Sequence, residues 1–266
     1  MITLYGPRIA PFTEKIIRGL GLKNLGFELV EPESAADYRR WNPVTGFLPV
    51  IDIDGERVCD STAILLRVDE LFPEPPLLCD EPRTAENQLR LVRWVDESFS
   101  WYWNRWMHGL SAGPLDGPPV AGESLAEAAS RAPSGELPRP TGVSLRSWVA
   151  SRVRMRPHPG NPSDAERLVH EVGHRVADLA RLLVPRPFFY ADRISIADLA
   201  AYAMLRPLAM DSIPGTRGHV ERHPALLEFI ERVEGQTGGF SGPSPQPARL
   251  VPGAAQGDAR RSHREL

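Results

Sequence analysis

Residues 42–73, NPVTGFLPVIDIDGERVCDSTAILLRVDELFP, constrain the fold more than any other stretch of the chain. Leu48 to Ile53 is largely apolar and β-branched. Asp54-Gly55 is the strongest two-residue turn signal, and Arg57 to Cys59 resumes an extended run, so the segment predicts a tight hairpin. Pro49 has no N–H to give a ladder and belongs at a strand start or an edge. After the hairpin, Ala63, Ile64, Leu65, Val68, Leu71 and Phe72 recur at helical spacing. Asp60 or Ser61 suits the N-cap of that helix, and Pro73 stops it.

Upstream, Ile2 to Tyr5 predicts a short strand ended by Gly6-Pro7. Pro11 suits the first position of a helix whose apolar face is Ile16, Ile17 and Leu20, with Gly21 and Gly26 at its exit. Residues 27–30 predict a second strand, followed by a polar connection that holds Tyr38 and Trp41. Strand, helix, strand, connection, hairpin, helix is the order of an α/β thioredoxin-like domain over residues 1–75.

Residues 76–83 close a proline-rich linker, and residues 84–234 predict an all-helical C-terminal domain. Thr84 begins a long helix carrying Leu89, Val92, Trp94, Val95, Phe99, Trp101, Tyr102, Trp103 and Trp106. Four tryptophans within thirteen positions cannot share one stripe, so several faces are covered. Two readings stand: a helix and domain-interface core, or a cluster of which Phe99, Tyr102, Trp103 and Trp106 line an apolar pocket. Residues 109–142 are rich in Gly, Pro, Ser and Ala and read as an insertion, with a short helix over 123–132. An amphipathic segment over 143–155 follows. Ser163 and Glu166 form a capping box for the next helix. Ser195 and Asp198 form another, with Ile194 and Leu199 as its hydrophobic staple. His223-Pro224 starts the last helix, and residues 235–266 read as a disordered tail.

The apolar-Pro strand start, the hairpin, the acidic-Ser pair and the helix closing near Phe-Pro together resemble the glutathione transferase family, nearest in pattern to its omega-like branch. The Ser-Ile-Ala-Asp box at 195–198 is a second point of resemblance. The resemblance implies a cis Pro49. It also implies a glutathione site in which the main chain of Leu48 pairs with the peptide and Asp60 and Ser61 receive the γ-glutamyl end. The free N–H groups of a helix start suit a carboxylate there. The implied activity is attack of a glutathione thiolate on a small hydrophobic electrophile, with glutathione as co-substrate, by a homodimer.

The chain departs from that pattern where the chemistry is done. The omega-like branch has a cysteine nucleophile at the start of the first helix, and the matching position in Ile9-Ala10-Pro11-Phe12 is Ala10. A methyl neither donates a hydrogen bond nor forms a mixed disulfide, which argues against glutaredoxin-like chemistry. Three candidates remain for stabilising the thiolate: the phenol of Tyr5, the hydroxyl of Thr13, and the backbone N–H groups around Phe12 and Thr13, helped by the helix dipole. Phe47 stands where the family often carries a lysine for the glycine carboxylate. Arg8, Arg39 and Arg40 are the cations available instead. A rival reading is a non-catalytic ligand-binding or interaction protein of the same fold.

His170-Glu171-Val172-Gly173-His174 matches H-E-x-x-H, the pattern of a zinc hydrolase. No third ligand follows at metzincin spacing, so the expectation is a solvated or hydrogen-bonded histidine pair and no metal. Net charge is −3, which gives no reason to expect nucleic acid or an anionic membrane as partner. No apolar run reaches the about 18 residues of a spanning helix. The N-terminus goes straight into a strand without a signal peptide's apolar core. Cys59 and Cys79 form neither a CxxC nor a disulfide framework, so a cytoplasmic location is expected.

Overall fold

The computed structural model describes residues 1–108 and 162–238. The first unit runs β1 (Ile2–Tyr5), α1 (Pro11–Leu22), β2 (Glu28–Val30), α2 (Ala35–Trp41), β3 (Val50–Ile53), β4 (Glu56–Cys59) and α3 (Ser61–Leu71). The helical part follows with α4 (Pro82–His108), α5 (Pro162–Leu183), α6 (Ile196–Ala209), α7 (Arg217–Glu221) and α8 (Pro224–Thr237). The order is that of a thioredoxin-like domain followed by an all-helical one.

The four strands form one sheet in the order β2-β1-β3-β4. β1 runs parallel to β2, while β1–β3 and β3–β4 are antiparallel. Leu4 lies opposite Ile51 and Ile2 opposite Ile53, so the period of two puts these four on one face. That face joins Ile16 and Leu20 of α1 and Ile64, Leu65 and Val68 of α3 in the main core. Tyr5, opposite Val50, faces the other way and packs on Trp41 of α2.

The structure corrects several boundaries. The connection expected after β2 contains α2. Its signal is the Ser34-Ala-Ala-Asp37 capping box, in which the Asp37 carboxylate accepts from the Ser34 N–H at 2.9 Å and the Ser34 hydroxyl at 3.0 Å. β3 starts at Val50, after Pro49, because the ladder needs an N–H that Pro49 lacks. α4 starts at Pro82, two residues before Thr84. The linker is pinned rather than loose: Leu77 is fully buried, its carbonyl accepts from Ile196 N–H at 2.8 Å, and Arg193 bonds the carbonyls of Pro76 and Leu78. α8 continues to Thr237, so residues 235–237, assigned above to the tail, belong to the helix. Arg18 on α1 holds that end through the Thr237 hydroxyl at 3.2 Å and the Gly238 carbonyl at 2.9 Å. Gly21 permits the approach, since a Cβ there would lie 2.1 Å from the Thr237 carbonyl oxygen. The expected insertion at 109–142, its helix at 123–132, the segment at 143–155 and the rest of the tail lie outside the described residues. The Ser163 side chain of the first capping box does too.

α6 is the central helix and packs on both α1 and α4. Its start is the expected Ser195–Asp198 box. Asp198, fully buried, accepts from the Ser195 N–H at 2.8 Å, the Ser195 hydroxyl at 2.6 Å and the Phe189 N–H at 2.8 Å. Ile194 and Leu199 are both buried beside it. Burial pushes the Asp198 carboxyl up to about 7, against the pull of these hydrogen bonds.

Candidate active site

Three chain segments converge at the open end of β3: the β1–α1 turn, the loop before β3, and the start of α3. The Leu48-Pro49 peptide is cis, as the resemblance implied. The ladder ends at Val50 and, among the described residues, leaves the N–H and C=O of Leu48 without a backbone partner. An extended peptide can therefore pair there as one more short strand.

At the start of α3, Asp60 is the N-cap, with φ +76°. Its carboxylate accepts from the Thr62 and Ala63 N–H groups, each at 2.9 Å. Asp60 thus shapes the turn and satisfies two helix donors. Ser61 is 5% exposed, and its hydroxyl accepts from Lys15 Nζ at 3.3 Å. Lys15 comes from α1 and is fully buried. It also donates to Thr62 Oγ1 at 2.9 Å and to Asp96 Oδ2 of α4 at 2.7 Å. Burial raises the Asp96 carboxyl, and the Lys15 ammonium pulls it back down. Lys15 is therefore spent from within, its three donors taken by Ser61, Thr62 and Asp96, and it holds the Ser61 hydroxyl at the N-terminus of α3, whose dipole favours an anion.

Sequence reasoning did not single out Lys15 or Asp96. A signal was present on one side of each: Lys15 precedes Ile16-Ile17 and Asp96 follows Val95, although Glu14 and Glu97 flank them on the other. A charge in an apolar stripe is buried only when paired, and these two pair with each other across the domain boundary.

The start of α1 is poorer in side-chain donors. Ala10 is the N-cap of α1, and its carbonyl accepts from the Thr13 and Glu14 N–H groups, each at 3.0 Å. Pro11 has no N–H, so Phe12 carries the first free donor of the helix, and it takes no backbone acceptor. Thr13 is fully buried and its hydroxyl has no hydrogen-bond partner. That hydroxyl lies against Gly6, 2.6 Å from where a Cβ on Gly6 would stand, with Pro49 close by. Tyr5 is half-buried at the end of β1, its ring 4.9 Å from Trp41 and 5.5 Å from the Arg57 guanidinium.

Of the four aromatic candidates on α4, Phe99 and Tyr102 are 3% and 1% exposed and belong to the core. Trp103 and Trp106 are half-buried and pack against its edge. The histidine pair is a hydrogen-bonded one, with His170 and His174 Nε2 3.0 Å apart on the exposed side of α5. Among the described residues no group of three or more His, Cys, Asp or Glu is placed to hold a metal ion, and no helix is long and apolar enough to cross a membrane.

Residues 4–76 match the glutathione S-transferase N-terminal domain and residues 168–238 the glutathione S-transferase C-terminal domain, together more than half of the chain. The chain belongs to the glutathione S-transferase family. A glutathione S-transferase of Triticum aestivum is 30% identical over 115 residues, 42% of this chain and 53% of that protein. The Drosophila melanogaster protein Failed axon connections is 24% identical over 237 residues, 86% of this chain and 54% of that protein. The chain thus spans about half the length of the curated relatives it matches. Among solved structures, a glutathione S-transferase of Methylobacterium radiotolerans in complex with glutathione sulfonate superposes with a TM-score of 0.60 at 21% identity. The match covers 94% of this chain and 99% of that one. This glutathione S-transferase family member therefore keeps the family's frame, while the first turn of its first helix lacks a side-chain thiol or hydroxyl at Ala10.

Proposed function

We propose that the protein binds glutathione along the cleft and adds its thiolate to a small hydrophobic electrophile. The observation that carries this reading is the start of α3, where Ser61, held from behind by Lys15, stands at the helix N-terminus, an arrangement that suits the γ-glutamyl carboxylate. Leu48 then pairs with the peptide through its free N–H and C=O, and the cysteinyl sulfur comes to the start of α1. The Phe12 N–H and the helix dipole stabilise the thiolate. The thiol proton leaves to solvent, the sulfur bonds the electrophilic carbon, and the leaving group departs with the electron pair of its bond. Tyr5 and Thr13 are the side-chain alternatives. Tyr5's packing on Trp41 and Thr13's burial behind Gly6 favour the backbone amide. Trp103 and Trp106 form the electrophile wall on this reading, and Phe99 and Tyr102 support it from the core. A homodimer in the cytoplasm goes with the reading, and sedimentation of the purified chain tests the dimer.

Calorimetry with glutathione, together with turnover of a generic chlorinated aromatic, tests the whole. Binding with turnover that persists in Tyr5→Phe and Thr13→Val is the expected result. An absence of binding at millimolar glutathione sinks the reading. A second reading, a ligand-binding member of the fold without catalysis, is favoured by Ala10, and binding without turnover would establish it.

A further inference from the structure

Six large apolar side chains stand exposed among the described residues. Three of them, Ile9, Val44 and Phe47, lie in the two loops that border the thiol end of the cleft. The loop carrying Phe47 is held from within. The buried Asn42 side chain donates to Thr45 Oγ1 at 2.7 Å and to the Phe47 carbonyl at 2.9 Å, and it accepts from the Thr45 N–H at 3.2 Å. The Gly46 N–H bonds the Asn42 carbonyl at 2.8 Å, and the Phe47 N–H bonds Thr45 Oγ1 at 3.2 Å. Both polar groups of the Phe47 peptide are therefore engaged inside the loop. Only its ring, 46% exposed, is presented outward.

The topology says what meets that ring. β3 opens between the end of β1 on one side and the end of β4, which leads to Ser61, on the other. A ligand anchored at Ser61 and paired with Leu48 runs from the β4 side toward the β1–α1 turn, so its far end arrives between Ile9 and Phe47. Arg40 is drawn to Asp37 at 3.6 Å and lies over Trp41, and Arg57 is paired with Asp52 at 3.2 Å and lies over Tyr5. The remaining nearby cations are Arg8 and Arg39, both exposed.

We infer that the cleft selects a γ-glutamyl thiol whose opposite end is uncharged, with Phe47 as the specificity-determining residue. This rests on the binding reading given above. A carboxylate placed against Phe47 and Ile9 loses water to an apolar wall and has only the solvated Arg8 and Arg39 at hand, whereas an ester or other apolar end gains buried area.

Calorimetry on the full chain with glutathione and with its glycine ethyl ester decides the matter. The ester is expected to bind about fourfold tighter, the effect of burying roughly one methylene. Phe47→Lys is expected to reverse that preference, with a reversal that fades as salt is raised. A wild-type preference for the free acid overturns the inference, and its loss in Arg8→Ala or Arg39→Ala would assign the far end to that cation instead. If neither ligand binds, the binding reading itself fails and takes this inference with it. The wild-type ratio stands whether or not the Phe47 variant folds.

Discussion

The two ends of the cleft are built differently. The α3 end is cross-linked: the buried Lys15 from α1 and Ser61 from α3 meet the half-buried Thr62 from α3 and Asp96 from α4 in one polar cluster. The α1 end carries a methyl at Ala10, a buried hydroxyl at Thr13 without a partner, and one free backbone N–H at Phe12. The first arrangement joins the two domains and, on the proposed reading, receives the carboxylate of the ligand. The second has little beyond a helix dipole to bring to a sulfur. On the proposed reading, binding and chemistry are therefore separable, and each can be perturbed alone.

The largest expected effect is at the binding end. Lys15→Met removes the ammonium from the half-buried Asp96 carboxylate, so the unfolding free energy should fall by about 2–3 kcal/mol in urea titrations. Retained stability would show that Asp96 does not depend on Lys15.

Next comes a dependence on pH. Asp198, raised from 3.8 to about 7 in the folded state, binds its proton more tightly when folded. Its contribution to stability is full below about pH 4 and is lost as pH rises toward 7. Urea titrations across that window should show this decline. Asp198→Asn should be less stable at acid pH and should lack the slope, and an unchanged slope would assign it to other groups.

Asp60→Ala should cost about 1–2 kcal/mol, because two N–H groups lose their cap and alanine disfavours φ +76°. It should also weaken glutathione binding by loosening Ser61, whereas an effect on stability alone would detach Asp60 from the site.

Ala10→Ser supplies the hydroxyl the thiol end lacks. Turnover should rise by about tenfold with little change in binding, and an unchanged rate would mean that the sulfur does not reach α1. The smallest effect belongs to Thr13→Val. Removing a buried hydroxyl that has no partner should leave the melting temperature level or slightly higher, with the rate unchanged. A large loss of rate would identify Thr13 as the donor.

Much of the frame was legible because its signals are local. Asp54-Gly55 forms the turn between β3 and β4, Asp60 caps α3, and Ser195 and Asp198 cap α6. α2 escaped because seven residues give too short a period to stand out, and its capping box uses Asp37 in place of the usual Glu or Gln. The α4 aromatics were counted correctly but not sorted. Which ring is core depends on what α5 and α6 cover, and that is not written in the helix itself. Lys15 and Asp96 were missed for a related reason: their separation of 81 residues hides a pair that only the packing of α1, α3 and α4 brings together.

By itself, the sequence determined the hairpin, the break at Pro49 and the helix starts at Asp60 and Ser195, since turn chemistry and capping act over a few residues. It also determined that Ala10 offers the sulfur no side-chain donor. The tertiary structure alone decided that Ser61 is backed by a buried cation, that Thr13 is turned against Gly6, and that Phe47 is presented outward beside an open Leu48. Burial and partnership are properties of surfaces brought together across the chain. Those properties separate a residue that recognises a ligand from one that merely occupies its place in the pattern.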